Sequence, residues 1–224
     1  MELWKEILKE PSKIANYIEY TSVNIESKEN EIRKLCRDVL KYNFYGAAIL
    51  PYYTKLVNKL LKGKAKVVTV IGFPYGIQPT PAKVAEVKSV FEYVDEFDMI
   101  FNRTAFLNKD YSYVVNDIKN VVKAAFPKIV KVIIETPSLN NQQIKNASKL
   151  VMKAGAHFVK TAVGYSGAAK AEHVKIIKNV VKDRLQIKAS GGIKNFNQAL
   201  EMIRAGASRI GTSNGIKIMN TLHQ

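Results

Sequence analysis

Short β-branched or apolar runs alternate with longer stretches of helical period along nearly the whole chain. The runs begin near Ile18, Tyr45, Lys66, Glu96, Ile129, His157, Gln186 and Ser208, at a mean spacing of about 27 residues. Between them lie amphipathic segments, among them Asn30 to Tyr42, Ala82 to Tyr93, Tyr111 to Ala125, Asn141 to Ala154, Ala171 to Val181 and Asn197 to Ala205. That spacing is what a right-handed βαβ crossover needs, so the strands are expected to be parallel. Eight such units close naturally into a (β/α)8 barrel. The rival, an open doubly wound sheet, should carry G-x-G-x-x-G in its first strand-to-helix turn, and none follows Ile18. Met1 to Tyr17 is expected to form an extra helix across the barrel bottom. No linker or composition shift divides residues 1–224, so the reading is α/β, a single-domain TIM barrel with an N-terminal helix.

The chain carries 35 Lys plus Arg against 19 Asp plus Glu, a formal charge of +16. Such an excess invites a nucleic-acid reading. Yet only six of the cations are Arg, and the Lys are spread from Lys5 to Lys217 at polar positions such as Lys55, Lys59, Lys62 and Lys64. With no aromatic-interleaved basic block, a solvated surface that steers anionic substrates is the simpler reading, and no nucleic-acid partner is expected. Cys36 is the single cysteine, so no internal disulfide can form and a reducing, cytoplasmic setting is expected. Met1 to Glu10 alternates charged with apolar residues, and no run approaches the ~18 apolar residues of a membrane span. Neither secretion nor membrane insertion is expected.

Barrel enzymes act at the carboxyl ends of their strands, so the last inward polar residues matter most. Lys160 ends His157-Phe158-Val159-Lys160-Thr161, and Lys188 sits in the next strand, Gln186-Ile187-Lys188-Ala189-Ser190. A closed barrel has no edge and its outer face is covered by helices, so a strand lysine is buried either way, which is costly without a partner or a function. Burial and a like charge both disfavour protonation, and an amine neutral near pH 7 attacks an aldehyde to form a Schiff base. Asp98 shares a face with Glu96, Ile100 and Asn102. There it offsets the lysine charge and relays protons. Lys160, Lys188 and Asp98 are therefore the candidate catalytic residues. Glycines cluster after the last strands, in Ser190-Gly191-Gly192-Ile193 and Gly211-Thr212-Ser213-Asn214, where barrels hold phosphate on backbone amides. His157, His173 and His223 are read as structural or solvated. Cys36 falls on an apolar helix face with Ile32, Leu35 and Val39, and Glu135 is a weaker candidate at the end of the fifth strand.

Phe158-Val159-Lys160-Thr161 with Gly164, Ile187-Lys188-Ala189-Ser190-Gly191-Gly192-Ile193 and Arg209-Ile210-Gly211-Thr212-Ser213 together resemble the motifs of the deoxyribose-phosphate aldolases. Val70-Ile71-Gly72-Phe73-Pro74, Glu96 to Asn102 and Lys131 to Thr136 complete the match, which runs from about Ile18 to Ile218. The resemblance implies a class I aldolase that reversibly cleaves 2-deoxy-D-ribose 5-phosphate to D-glyceraldehyde 3-phosphate and acetaldehyde, with no cofactor or metal. It implies that Lys160 forms the imine, Lys188 perturbs it and Asp98 joins the proton relay. Thr21, Thr161, Gly164, Gly191, Gly192, Gly211, Ser213 and Asn214 would then bind the phosphorylated sugar. A homo-oligomer, dimer or tetramer, is expected. Where the family usually reads Asp-His-Thr-Leu-Leu, this chain has Glu19-Tyr20-Thr21-Ser22-Val23, with an acid one methylene longer. Two alternatives stay open: a Schiff-base barrel acting on another sugar phosphate, and a non-catalytic basic phosphate-binding barrel.

Overall fold

A computed structural model describes residues 3–222. Eight parallel strands close into one barrel in chain order, each paired with its sequence neighbours and β8 returning to β1. They are β1 (Ile18–Ser22), β2 (Gly46–Ile49), β3 (Lys66–Ile71), β4 (Glu96–Ile100), β5 (Ile129–Ile133), β6 (Phe158–Lys160), β7 (Gln186–Ser190) and β8 (Arg209–Thr212). All eight start within one residue of the positions expected from periodicity.

The chain opens with α1 (Leu3–Lys9) and a 3-10 turn over Pro11–Tyr17, so the expected N-terminal segment is two pieces rather than one helix. Pro11 explains the break, because proline disfavours helix at the residue before it and suits a first turn. The Ala15 carbonyl accepts from the Tyr45 N–H at the entry to β2, which places this segment at the amino-terminal end of the barrel. Around the barrel run α2 (Glu29–Lys41), α3 (Thr54–Leu61), α4 (Thr80–Val90), α5 (Arg103–Leu107), α6 (Tyr111–Ala125), α7 (Asn141–Lys153), α8 (Ala171–Val181), α9 (Phe196–Arg204) and α10 (Gly215–Asn220). Their starts follow local chemistry. Asp110 accepts from the Tyr113 N–H, Asn195 from the Gln198 N–H, and Asn140 and Gln143 form a reciprocal capping box.

Strand alternation builds two different interiors. Phe97, Met99, Val130, Val132, Val159, Ile187, Ala189 and Ile210 face outward and join the apolar layer beneath the helices. On α2 the stripe Ile32, Leu35, Cys36 and Val39 meets that layer. Inside the barrel, where branched apolar side chains usually stack, this chain places Glu19, Glu96, Asp98, Lys131, Lys160, Lys188 and Arg209, all buried.

Candidate active site

The strand register brings the charged side chains together. Asp98 on β4 pairs with Lys131 on β5, Lys160 on β6 with Lys188 on β7, and Lys188 with Arg209 on β8. Asp98 lies at the centre. Its Oδ2 accepts from both Lys160 Nζ and Lys188 Nζ at 2.6 Å, and its Oδ1 from Lys131 Nζ at 3.0 Å. Lys188 also donates to Glu19. Lys131 reaches Glu96 Oε2 at 2.6 Å and Glu19 Oε1 at 3.2 Å, so its three N–H groups face three carboxylates. Burying so many charges is tolerable only when each is paired in this way.

Electrostatics separate the lysines. Burial is the strongest influence on Lys160 and lowers it; Asp98 resists, the Lys188 charge adds to the fall, and the amine ends near a pKa of about 8. For Lys131 the same burial is overcome by Asp98, Glu19 and Glu96, which hold it above the ordinary lysine value. Burial alone would raise Asp98, but the ammonium groups of Lys131, Lys160 and Lys188 keep it well below the usual carboxylate range. The enclosed set has three carboxylates and four cations, so one positive charge is in excess. Lys160 is the member that gives it up near neutral pH.

Above this network opens a cavity of about 570 Å³ at the carboxyl end of the strands, within the size range of small-molecule sites. Thr21, Lys160, Gly164, Gly191, Gly192, Gly211, Ser213 and Asn214 all line it. Lys160 is the sole cation among the described residues that do. Asp98 and Lys188 lie directly beneath, fully buried, Asp98 touching Lys160 and Lys188 touching Asp98. Thr161 is placed differently from expectation. Its hydroxyl donates to the Ser190 carbonyl at 2.8 Å and accepts from the Ser190 N–H at 2.9 Å, so it clamps the ends of β6 and β7 instead of facing the cavity. The Asn214 N–H is engaged by Thr212 Oγ1.

Glycine geometry has local causes. Gly164, Gly191 and Gly192 adopt φ of 111°, 102° and 75°, a region that penalises any side chain. At Gly211 the need is space, since an added Cβ would sit 2.8 Å from Lys188 Cε.

Several participants escaped the sequence reading: Lys131, Glu19 and Glu96 as members of one network, and Arg209, whose guanidinium carbon lies 3.2 Å from the centre of the Tyr45 ring. Glu135 proves to be a support. It holds a left-handed φ of 54°, and its Oε2 accepts from the Val163 N–H in the segment after Lys160. His157 Nδ1 accepts from the Val130 N–H, and His173 Nδ1 meets Thr136 Oγ1, both structural contacts. Cys36 is buried, which pushes its thiol up to about 11. His223 lies outside the described residues.

Known proteins resemble this chain over most of its length. The sequence profile of the DeoC/LacD family aldolase matches residues 18–221. A relative from Caldicellulosiruptor saccharolyticus, described as a deoxyribose-phosphate aldolase, is 46% identical over 213 residues, covering 92% of this chain and 97% of its own. Among solved structures, one described as QR15, an aldolase, superposes with a TM-score of 0.90 at 36% identity, covering 92% of this chain and 94% of its own. A tetrameric deoxyribose phosphate aldolase from Aeropyrum pernix superposes at 0.88 with 29% identity, covering 98% and 96%. With a profile match over nearly its whole length and a relative 46% identical over 92% of it, the chain belongs to the DeoC/LacD aldolase family.

Proposed function

We propose that the protein is a class I aldolase that cleaves 2-deoxy-D-ribose 5-phosphate, reversibly, to D-glyceraldehyde 3-phosphate and acetaldehyde. The observation that carries this is Lys160 Nζ at the cavity floor, lowered to about 8 and sharing one Asp98 oxygen with Lys188. A neutral amine at that position adds to the C1 aldehyde of the open-chain sugar and gives a carbinolamine, which loses water to an iminium. The iminium draws the electron pair of the C2–C3 bond as the C3 hydroxyl loses its proton. Glyceraldehyde 3-phosphate leaves and an enamine remains on Lys160. Protonation at C2 and hydrolysis of the resulting iminium free acetaldehyde and restore the amine.

Asp98 is the fixed anion of this sequence. Held ionised by three ammonium groups, it is a weak base, and its part is to pass protons between Lys160 and Lys188 through the shared oxygen. The sugar phosphate end rests on Gly164, Gly191, Gly192, Ser213 and Asn214 at the rim. Neutral donors there replace the usual lysine or arginine, and the overall charge of +16 brings the anion to the mouth. The single, buried cysteine suits a cytosolic setting, and the tetrameric relative supports a homo-oligomer.

The test is a retro-aldol assay with 2-deoxyribose 5-phosphate, joined to borohydride trapping and peptide mapping. Label on Lys160, lost together with turnover in Lys160→Ala, is the expected result. Turnover that persists with the label on another residue would reject the assignment.

A further inference from the structure

The charge network does not stop at the catalytic lysine. It continues from Lys131 to Glu96, and Glu96 also accepts from the Tyr45 hydroxyl at the opposite, amino-terminal end of the barrel. Arg209 stands beside them. Its Nη1 is 3.5 Å from Glu19 Oε1 and 3.9 Å from Glu96 Oε2, and its guanidinium stacks on Tyr45. Below this group is a second cavity of about 340 Å³, lined in part by Tyr45, Lys66, Asp95, Glu96 and Lys128. Tyr45, Glu96, Lys131 and Asp98 thus form an unbroken file of contacts between the two mouths, ending on Lys160.

We propose that Glu96 and Arg209 are positioning residues that set the protonation of Lys160 from the far end of the barrel, acting through Lys131, Glu19 and Asp98. Neither lines the catalytic cavity, so neither touches substrate. Their influence is electrostatic. The charged groups of the network that ends on Lys160 are Glu19 of β1, Glu96 and Asp98 of β4, Lys131 of β5, Lys188 of β7 and Arg209 of β8, and of these Asp98 is the one in contact with Lys160 itself. From β2 and β3 the cavity receives Ala48 and Val70, which carry no charge. Glu135, after β5, is turned to the Val163 N–H. Around Glu96 itself are Tyr45, Lys131 and Arg209, and at the lower cavity Lys66 pairs with Asp95 while Lys128 donates to the Phe91 and Val94 carbonyls.

The two residues have opposite signs, and so must their effects. Removing the Glu96 charge leaves the enclosed set more positive, which disfavours the Lys160 ammonium. Removing the Arg209 charge does the reverse. A unit charge at ~10 Å in surroundings of effective permittivity near 20 moves a titration by about one pH unit. A residue that served packing alone would change stability and leave the titration where it was.

The inference rests on Lys160 being the reactive amine, and its test does not require sugar-phosphate turnover. Intact protein is incubated with acetaldehyde and cyanoborohydride across pH, and alkylation of Lys160 is quantified by peptide mapping. The wild-type midpoint is expected near 8. Glu96→Gln should bring it down by about one unit and Arg209→Gln should take it up by about one unit, while Arg209→Lys, which keeps the charge, should leave it in place. If Arg209→Gln does not fold, Glu96→Gln decides alone, because the amide oxygen still offers Lys131 an acceptor. Midpoints that stay at the wild-type value, or that move in the same direction in both variants, would overturn the proposal. Failure to turn over deoxyribose phosphate with these shifts present would instead reject the substrate and keep the inference.

Discussion

Lys160, Lys188 and Lys131 share one residue type and one barrel, yet their surroundings give them different work. Lys131 has a carboxylate for each N–H and stays charged. Lys188 has two, Glu19 and Asp98, and Lys160 has Asp98 alone. The one with fewest anions around it is the one that opens to the cavity. Lys188→Leu deletes a positive charge beside Lys160, so Lys160 should titrate higher. Turnover at neutral pH should fall by ~10²-fold or more and recover in part at alkaline pH. A variant with full activity at pH 7 would show that burial alone activates Lys160. Lys160 and Lys188 were legible in the sequence because each ends or interrupts an apolar strand. The same signal is present at Lys131, in Ile129-Val130-Lys131-Val132-Ile133, which holds the same third place in its strand as Lys188. Lys83 gave no such signal. It lies on helix α4 among surface lysines of equal appearance, yet is fully buried against Asp117 of α6 at 2.6 Å. Partners on another helix, far away in sequence, decide that.

Strands β1 to β8 were readable to within a residue because parallel strands buried on both faces leave dense apolar runs. Most helices were equally plain from their 3.6 period. What was lost were the short α5 and the division at Pro11, where local backbone chemistry outweighs pattern. Which way a loop residue turns was also hidden: Thr161 follows Lys160, but its hydroxyl has two backbone partners on Ser190 and none in the cavity. Gly211 on β8 illustrates how neighbouring strands constrain each other. Family resemblance assigns it to phosphate, whereas the geometry makes it the gap into which the Lys188 stem fits, since a Cβ would stand 2.8 Å from Lys188 Cε and 3.0 Å from Ser190 Cβ. Glu19 and Asp98 pin the head of that lysine, so the stem cannot swing aside without breaking a contact. Gly211→Ala should therefore lower kcat by ~10-fold or more while KM for the sugar phosphate changes by less than ~2-fold. Steady-state kinetics decides it: a raised KM with kcat intact would return Gly211 to the phosphate.

A fold that buries an amine inside its barrel and lowers its pKa gives up stability to do so. Below pH 8 Lys160 is a buried ammonium, easier to protonate in the unfolded chain, where lysine titrates at its ordinary 10.5, than in the folded one, where it titrates near 8. The folded state is therefore disfavoured below pH 8. That deficit shrinks as pH rises from 8 to 10.5 and vanishes above, because the unfolded chain binds more protons across that window. A gap of this size corresponds to about 3 kcal/mol, with the pairing to Asp98 already counted in it. Lys160→Met fills the same volume without the charge and leaves Asp98 its contacts with Lys131 and Lys188. At roughly 2–4 °C per kcal/mol for a chain of this length, the variant should melt a few degrees higher than the wild type at pH 7. Its advantage should narrow between pH 8 and 10.5 as the wild type sheds its proton, and other lysines, common to both proteins, cancel in the difference. Thermal melts of both proteins at pH 7, 8.5 and 10 test this. A variant that melts below the wild type at pH 7, or a difference constant with pH, would mean that the Lys160 ammonium is fully compensated in its network and that the amine is not held neutral at the expense of the fold.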